Sequence, residues 1–464
     1  MSTESATLLR QLDHVDSVHR QDALAGLAAH LDGACPPPAE TGETGDVNMH
    51  CHSFFSYNAH GWSPSRIAWE CRSRGLYAAA LCDFDVLDGL DEFLAAGRLL
   101  GLRAAVHLET RAYLAPLAAT DINSPGEPGV NYIMGAGFYK TFPDGTPQAG
   151  TLAALRTGAT RRNEELIARI NARIPGISLD YRRDVLPLTP KGVATERHII
   201  RSYAHAARCA YPDPAARAAF WAPLLKTAPE NAAALETDVP AFEEAVRSAL
   251  AKRGGIGYQQ PGPDTFPPAE TFTAWVRSCD AIPAATWLDG TSGGEADCSR
   301  WLDLLRGLGC ATVALVPDRN WNIKKPEEKA VKIAKLDELV HEAVARDMPM
   351  IIGTEMNKAG LPFADDLGGP VLARHADVFR AGARFIVGHT LLGRYADMPY
   401  LGERALAAFP SIPARNAFFT AVGALPPLTE NRAARLLDDG PDHAYDRLAQ
   451  AVRTCACAVN GSPV

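Results

Sequence analysis

The sequence predicts an α/β protein of the parallel-barrel type, and two observations lead there. Apolar, strand-like runs alternate with amphipathic helical stretches, and those runs end in side chains that bind metals or carry protons. Strands alternating with helices imply parallel pairing through crossover connections, and parallel barrels gather their chemistry at the strand C-termini. The first such run is Val47-Asn48-Met49-His50-Cys51-His52-Ser53. Residues i and i+2 of a strand share a face, so His50 and His52 converge while Cys51 points away. Two neutral imidazoles suit a borderline divalent cation such as Zn²⁺, Mn²⁺ or Fe²⁺ when carboxylates complete the shell.

The remaining elements follow in chain order. Residues 1–32 carry Leu8, Leu9, Leu12, Leu24, Leu27 and Leu31 at helical spacing and read as two helices packed outside the barrel. A Pro-rich linker covers 35–45. A helix over 63–73 starts at Ser63-Pro64, a cap followed by proline at the first turn. A strand over 76–82 runs into Asp83-Phe84-Asp85. A helix over 89–100 closes at Gly101, and the next strand leads to Glu109. Residues 115–130 form a Pro/Gly/Asn-rich loop. Residues 150–270 are Ala-rich and helical, and Tyr258-Gln259-Gln260-Pro261-Gly262-Pro263 marks the return to the barrel. Strands are expected near 282–287, 311–316, 349–354 and 383–388. The last 50 or so residues read as helices with a loose tail.

These motifs make the chain resemble the PHP (polymerase and histidinol phosphatase) family of metal-dependent phosphoesterases. His50-Cys51-His52-Ser53-Phe54-Phe55-Ser56 is similar to its opening H-x-H-[ST]-x-x-S. Cys82-Asp83-Phe84-Asp85-Val86-Leu87-Asp88-Gly89 is similar to its T-D-H-D-T-x-x-G, and Leu100-Gly101-Leu102 precedes Glu109 where the family carries a bridging glutamate. Tyr132-Ile133-Met134-Gly135 and Glu196-Arg197-His198-Ile199 match further motifs more loosely, and beyond about 270 the match is by pattern. The resemblance implies a distorted (β/α)7 TIM-like barrel with an inserted helical cap. It divides the chain into N-terminal helices and linker (1–45), a first barrel part (46–150), the insertion (151–270), a second barrel part (271–400) and C-terminal helices (401–464). It also implies hydrolysis of a small phosphorylated molecule by a metal-activated water.

Departures from the family pattern reshape the expected metal centre. Phe84 and Trp287 stand where the family has histidines, and Gly353-Thr354-Glu355-Met356-Asn357 stands for G-S-D-x-H. The implied shell keeps His50, His52, Glu109 and Glu355, with His198 and Asn357 as further metal positions. One well-formed site and one or two ions of Zn, Mn or Fe are therefore expected.

Asp83 and His389 are the first candidates for proton transfer; Asp83 and Asp85 are either site acids, the reading preferred for Asp83, or helix-capping acids, and His389 is either a late barrel ligand or general acid or a buried, hydrogen-bonded histidine. Arg197 and Arg201 lie i, i+4 on one helix and can grip a phosphate or form a solvated basic face; Lys358 is a third phosphate candidate. His198 is either a ligand or a helix-terminal histidine, and His107 reads as a core histidine.

The alternatives to a phosphoesterase are an amidohydrolase-like enzyme on a non-phosphate substrate and a catalytically silent ligand-binding barrel. A net charge of −8 over 464 residues argues against a broad nucleic-acid-binding face. With 47% hydrophobic residues the chain can bury a full barrel core. Ten scattered cysteines without C-x-x-C pairs, no secretory leader and no run of about 18 apolar residues point to a cytoplasmic protein without a membrane span.

Overall fold

The computed structural model describes residues 3–29 and 45–460, with side chains described as far as Cys455. The predicted linker, apart from Gly45, and the C-terminal tail lie outside the described residues. Seven strands form one sheet in chain order: β1 (Val47–Cys51), β2 (Ala78–Phe84), β3 (Arg103–Tyr113), β4 (Val130–Ala136), β5 (Ile282–Trp287), β6 (Thr312–Leu315) and β7 (Met350–Ile352). A bridge from Cys51 to Glu355 brings the end of β7 back to β1, so the sheet is a nearly closed barrel. β1 is buried at every position, as expected where helices cover one face and barrel interior the other.

Two expectations are corrected. The barrel is mixed rather than parallel, because β4 runs antiparallel to both β3 and β5. No crossover helix joins β3 to β4, only a loop with one short 3-10 turn (Ala115–Leu117), and such a link returns the chain antiparallel. The strand expected at 383–388 is instead the middle of the helix Ala376–Ala396. A helix buried on most sides carries the same continuous apolar run as a buried strand. This helix packs against β7 on one side and the helix Ile412–Ala424 on the other. Glycines permit that approach: a Cβ at Gly382 would collide with the Met350 carbonyl, at Gly388 with that of Phe419, and at Gly423 with that of Arg384.

The N-terminal helices Thr3–Gln11 and Ser17–Ala29 pack on the barrel through Leu12, Leu24 and Leu27. Arg20 of the second is buried and donates to both Glu92 carboxylate oxygens (2.9 and 2.5 Å) and to the His14 and Val15 carbonyls. Glu92 also accepts from the Ser65 hydroxyl (2.7 Å), so one ion pair ties three helices together. The helix Pro64–Ser73 starts as read from sequence, with the Ser63 hydroxyl accepting from the Arg66 amide.

Between β4 and β5 lies the helical insertion, which has a hydrophobic core of its own around Ile170, Tyr203, Trp221, Phe242 and Leu250. Its first helix, Pro147–Asn171, belongs to both cores: Leu155 packs in the barrel cluster and Leu166 in the second. Because β4 runs backwards, this helix sets out from the end of the barrel opposite the strand C-termini. Its 25 residues, roughly 37 Å at 1.5 Å per residue, carry its far end up to the mouth.

Candidate metal centre

β1 and β3 deliver the site. His50 lies near the end of β1, His52 just beyond it, and Glu109 on β3. Glu109 Oε2 is 3.5 Å from His50 Nε2 and 3.4 Å from His52 Nε2, and the imidazole centroids are 5.1 Å apart. All three residues are buried, and neither Nε2 has a hydrogen-bond partner. Buried polar atoms are normally satisfied, so two adjacent unsatisfied nitrogens facing one carboxylate mark a place for a cation. Ligands about 2.1 Å from a tetrahedral ion lie about 3.4 Å apart, close to the separations found here. Among the described residues, His50, His52 and Glu109 form the group whose ligand atoms all fall within 4.8 Å of one another.

Electrostatics support the same reading. Burial pulls the His52 pKa down, but the nearby carboxylate of Glu109, with Glu355 and Asp83 behind it, outweighs this and leaves it raised. Burial pushes Glu109 up, yet the two histidines hold it well below the usual carboxylate range. The imidazole of His52 is oriented by Ser56, whose hydroxyl lies 3.3 Å from Nδ1, and its carbonyl accepts from Asn58.

Asp83 sits beneath this loop rather than in the cavity. It accepts from the Ser53 amide (2.7 Å), the Ser53 hydroxyl (2.6 Å) and the Ser56 hydroxyl (2.7 Å), and so fixes the segment that carries His52. His389 belongs to the helix Ala376–Ala396, not to a strand end. Its Nε2 meets the Gly137 carbonyl at 3.1 Å and its Nδ1 accepts from the Tyr400 amide. Burial pushes its pKa down to about 4, and it does not line the cavity.

Glu355 lines the cavity but its carboxylate is engaged elsewhere. Arg319 donates to Oε1 (2.5 Å) and Asn357 to Oε2 (2.9 Å). Burial pushes Glu355 up, and Arg319 together with His50 and His52 more than reverses this, holding it below its ordinary value. Asn357 thus meets a carboxylate where a metal position was expected. Glu355 and Met356 both adopt left-handed backbone (φ 62° and 60°), as does Asp85 (φ 60°). Non-glycine residues held there cost about 1–3 kcal/mol each, and such strain clusters at working sites.

His198 caps its own helix, accepting from the Thr195 amide at 3.1 Å, and lies edge-on to Tyr57. Burial and Arg201 hold it down to about 3. Arg197 lines the cavity, 3.6 Å from Glu244; Arg201 pairs with Glu243 (3.1 Å) and does not line it, nor does the exposed Lys358. His107 is a fully buried core histidine, pushed down to about 3 by burial.

The centre opens into a cavity of about 680 Å³, bounded by the barrel mouth on one side and the helical insertion on the other. Phe84, next to Glu109 across the β2–β3 ladder, stands edge-on to Tyr132 in the cavity wall, while the ring of Trp287 packs against Trp301 (centroids 5.2 Å apart). Sequence reasoning missed Arg111, Arg162 and Arg319 in this lining. Arg111 is signalled by its place two residues after Glu109 on the same strand face; Arg162 and Arg319 carry no local signal.

Fold and site together define an α/β barrel whose mouth holds a buried His–His–Glu group fit to take a divalent metal. No family model matches the chain, and no curated protein does. Among solved structures, it is similar to a candidate metal-dependent phosphoesterase from Bifidobacterium adolescentis, with 18% identity and a TM-score of 0.45 over 71% of this chain and 96% of that one. It is also similar to an amidohydrolase from Chromobacterium violaceum solved with bound sulfate and no metal, with 15% identity and a TM-score of 0.46 over 72% and 96%.

Proposed function

We propose that this protein is a metal-dependent hydrolase of the PHP type that cleaves a phosphate ester of a small molecule. The observation that carries the reading is the pair of unsatisfied, buried Nε2 atoms of His50 and His52 facing Glu109 at the floor of a roomy cavity. A cavity of this size suits a small ligand. When bound, a divalent ion supplies Lewis acidity and brings a water close to neutrality in pKa.

The protein's own groups do the rest. His50, His52 and Glu109 hold the ion; imidazole with carboxylate suits Zn²⁺, Mn²⁺ and Fe²⁺ alike. Arg319, fixed on Glu355 at the cavity wall, holds guanidinium N–H donors where a phosphoryl group would develop negative charge. It also satisfies Glu355 without a second cation, which with Phe84 and Trp287 supports one ion rather than two. Neither Asp83 nor His389 faces the cavity, so neither enters this scheme as a proton carrier. Among the described residues no helix is long and apolar enough to cross a membrane. The cytoplasmic setting remains part of the proposal.

Elemental analysis of the purified protein and of the double variant H50A/H52A, with turnover of a panel of phosphate esters and amides, tests the reading. One ion per chain and ester hydrolysis, both lost in the variant, is the expected result. Turnover that survives in the variant refutes it. The second reading, a barrel that binds without turnover, is favoured by Phe84, which fills space beside Glu109 where the family pattern has a histidine. A protein empty of metal after Mn²⁺, Fe²⁺ and Zn²⁺ supplementation would support that instead.

A further inference from the structure

The cavity contains a second polar centre apart from the His–His–Glu group. Arg111 follows Glu109 by two residues on β3, and both line the cavity, so its Cα stands roughly 7 Å farther along the strand. Arg162 comes from the opposite side, on the long helix of the insertion. Both guanidiniums lie against one ring: their central carbons are 4.3 and 4.7 Å from the centroid of Phe266.

Against burial, Tyr132, Glu127, Glu196 and Asp85 hold the Arg111 pKa above its ordinary value, so two charged guanidiniums meet here, but the hydrogen bonds they make to Glu127 and Asp85 are long. Arg111 reaches Glu127 at 3.4 Å, and its buried Nε has no partner. Arg162 reaches Asp85 at 3.5 Å and the Thr265 carbonyl at 3.4 Å. These separations are at the outer edge of hydrogen bonding, whereas the buried Arg20 makes contacts of 2.5–2.9 Å. Both acids are taken more tightly by neighbours, Glu127 by the Ser124 hydroxyl (2.6 Å) and Asp85 by that of Thr110 (2.5 Å). Of the five N–H donors each guanidinium carries, those that make protein contacts make long ones, and the Arg111 Nε is buried with none. Burial, and then the charge of Arg111, pull the Arg162 pKa down to about 10, against the help of Asp85.

We propose that Arg111 and Arg162, gathered on Phe266, form a receiving site for an oxyanion that the substrate carries away from its reacting group. Guanidinium forks match phosphate and carboxylate oxygens in pairs. The site deepens the hydrolase reading, on which it rests for the position of the reacting group. The substrate class is then a small molecule with two separated groups, one at the His–His–Glu centre and one anionic. Arg162 makes the insertion a part of recognition and not only a cover.

The test is independent of metal and turnover. Chelator-treated protein is titrated calorimetrically with inorganic phosphate and, separately, with acetate at low ionic strength. Wild type and H50A/H52A are expected to bind one of these anions saturably. R162M and R111M should bind it at least about tenfold more weakly, the cost of one lost charged hydrogen bond. R183M, at an exposed position of the insertion, should bind as wild type does. The anion bound more tightly names the group. No saturable binding by wild type, or equal binding by R162M, overturns the proposal. If R162M does not fold, a wild-type crystal soaked in the same anion decides: density bridging both guanidiniums supports the site, and an anion elsewhere in the cavity refutes it. Anion binding by a metal-loaded wild type that turns over none of the panel would sink the hydrolase reading alone.

Discussion

Replacing Asp83 separates a positioning role from a proton-carrying one. The carboxylate accepts three hydrogen bonds of 2.6–2.7 Å from Ser53 and Ser56 in a fully buried setting. Each charged hydrogen bond is worth about 1.5–3 kcal/mol, and removal of the acceptor leaves the Ser53 amide and two hydroxyls without it. These terms are not additive, so D83A should cost about 3–5 kcal/mol. The damage should also reach the metal centre, because Ser56 orients His52. D83N keeps the shape: its carbonyl can accept from the Ser53 amide and its NH₂ can donate to the Ser53 hydroxyl, for a cost of about 1 kcal/mol. Urea melts together with metal content by elemental analysis measure both variants. D83A should be strongly destabilised and metal-poor, while D83N should be nearly wild type in stability, metal content and turnover. A stable, fully metal-loaded D83N that has lost turnover would refute the positioning role and restore Asp83 as a proton carrier.

Other outcomes follow from the same structure. Glu92→Ala leaves the Arg20 guanidinium buried without its acid and should cost about 3–5 kcal/mol in a denaturant melt. Gly388→Ala drives a methyl group into the Phe419 carbonyl at a helix crossing and should cost about 3 kcal/mol, whereas alanine at the open Gly307 should not destabilise measurably. Burial raises Asp365 from 3.8 to about 7, so the folded protein keeps a proton that the unfolded chain gives up. The contribution of Asp365 to stability should therefore fall as pH rises from about 4 to about 7 and then level off, opposite in sign to that of the buried histidines His107, His198 and His389. Asp365→Asn should raise the melting temperature at pH 8 and not at pH 4, as followed by scanning calorimetry.

The parts of the site that were legible in the sequence are those written into local periodicity. An H-x-H at a strand end places two imidazoles on one face whatever the rest of the chain does, and Glu109 closes a second apolar run. Ser63-Pro64 announces its helix in the same way. What failed depended on packing at a distance. The run 383–388 is apolar because its helix is covered by two neighbours, and nothing within six residues distinguishes that from a buried strand. Asp83 reads as a site acid until the serines that saturate it are seen. That Arg319, 36 positions earlier, would donate to Glu355 had no local signal either. The reversed β4 did have a local signal: direction is set by the connection, and the loop read over 115–130 holds no crossover helix.

The helix Pro147–Asn171 sets how the two halves of the molecule can move. With Leu155 seated in one core and Leu166 in the other, it acts as a strut three turns long between its two anchor points. Any widening of the mouth must tilt this strut or break it, and Arg162, mounted between the anchors, would travel with it. Release of a ligand and withdrawal of that guanidinium would then be a single mechanical event.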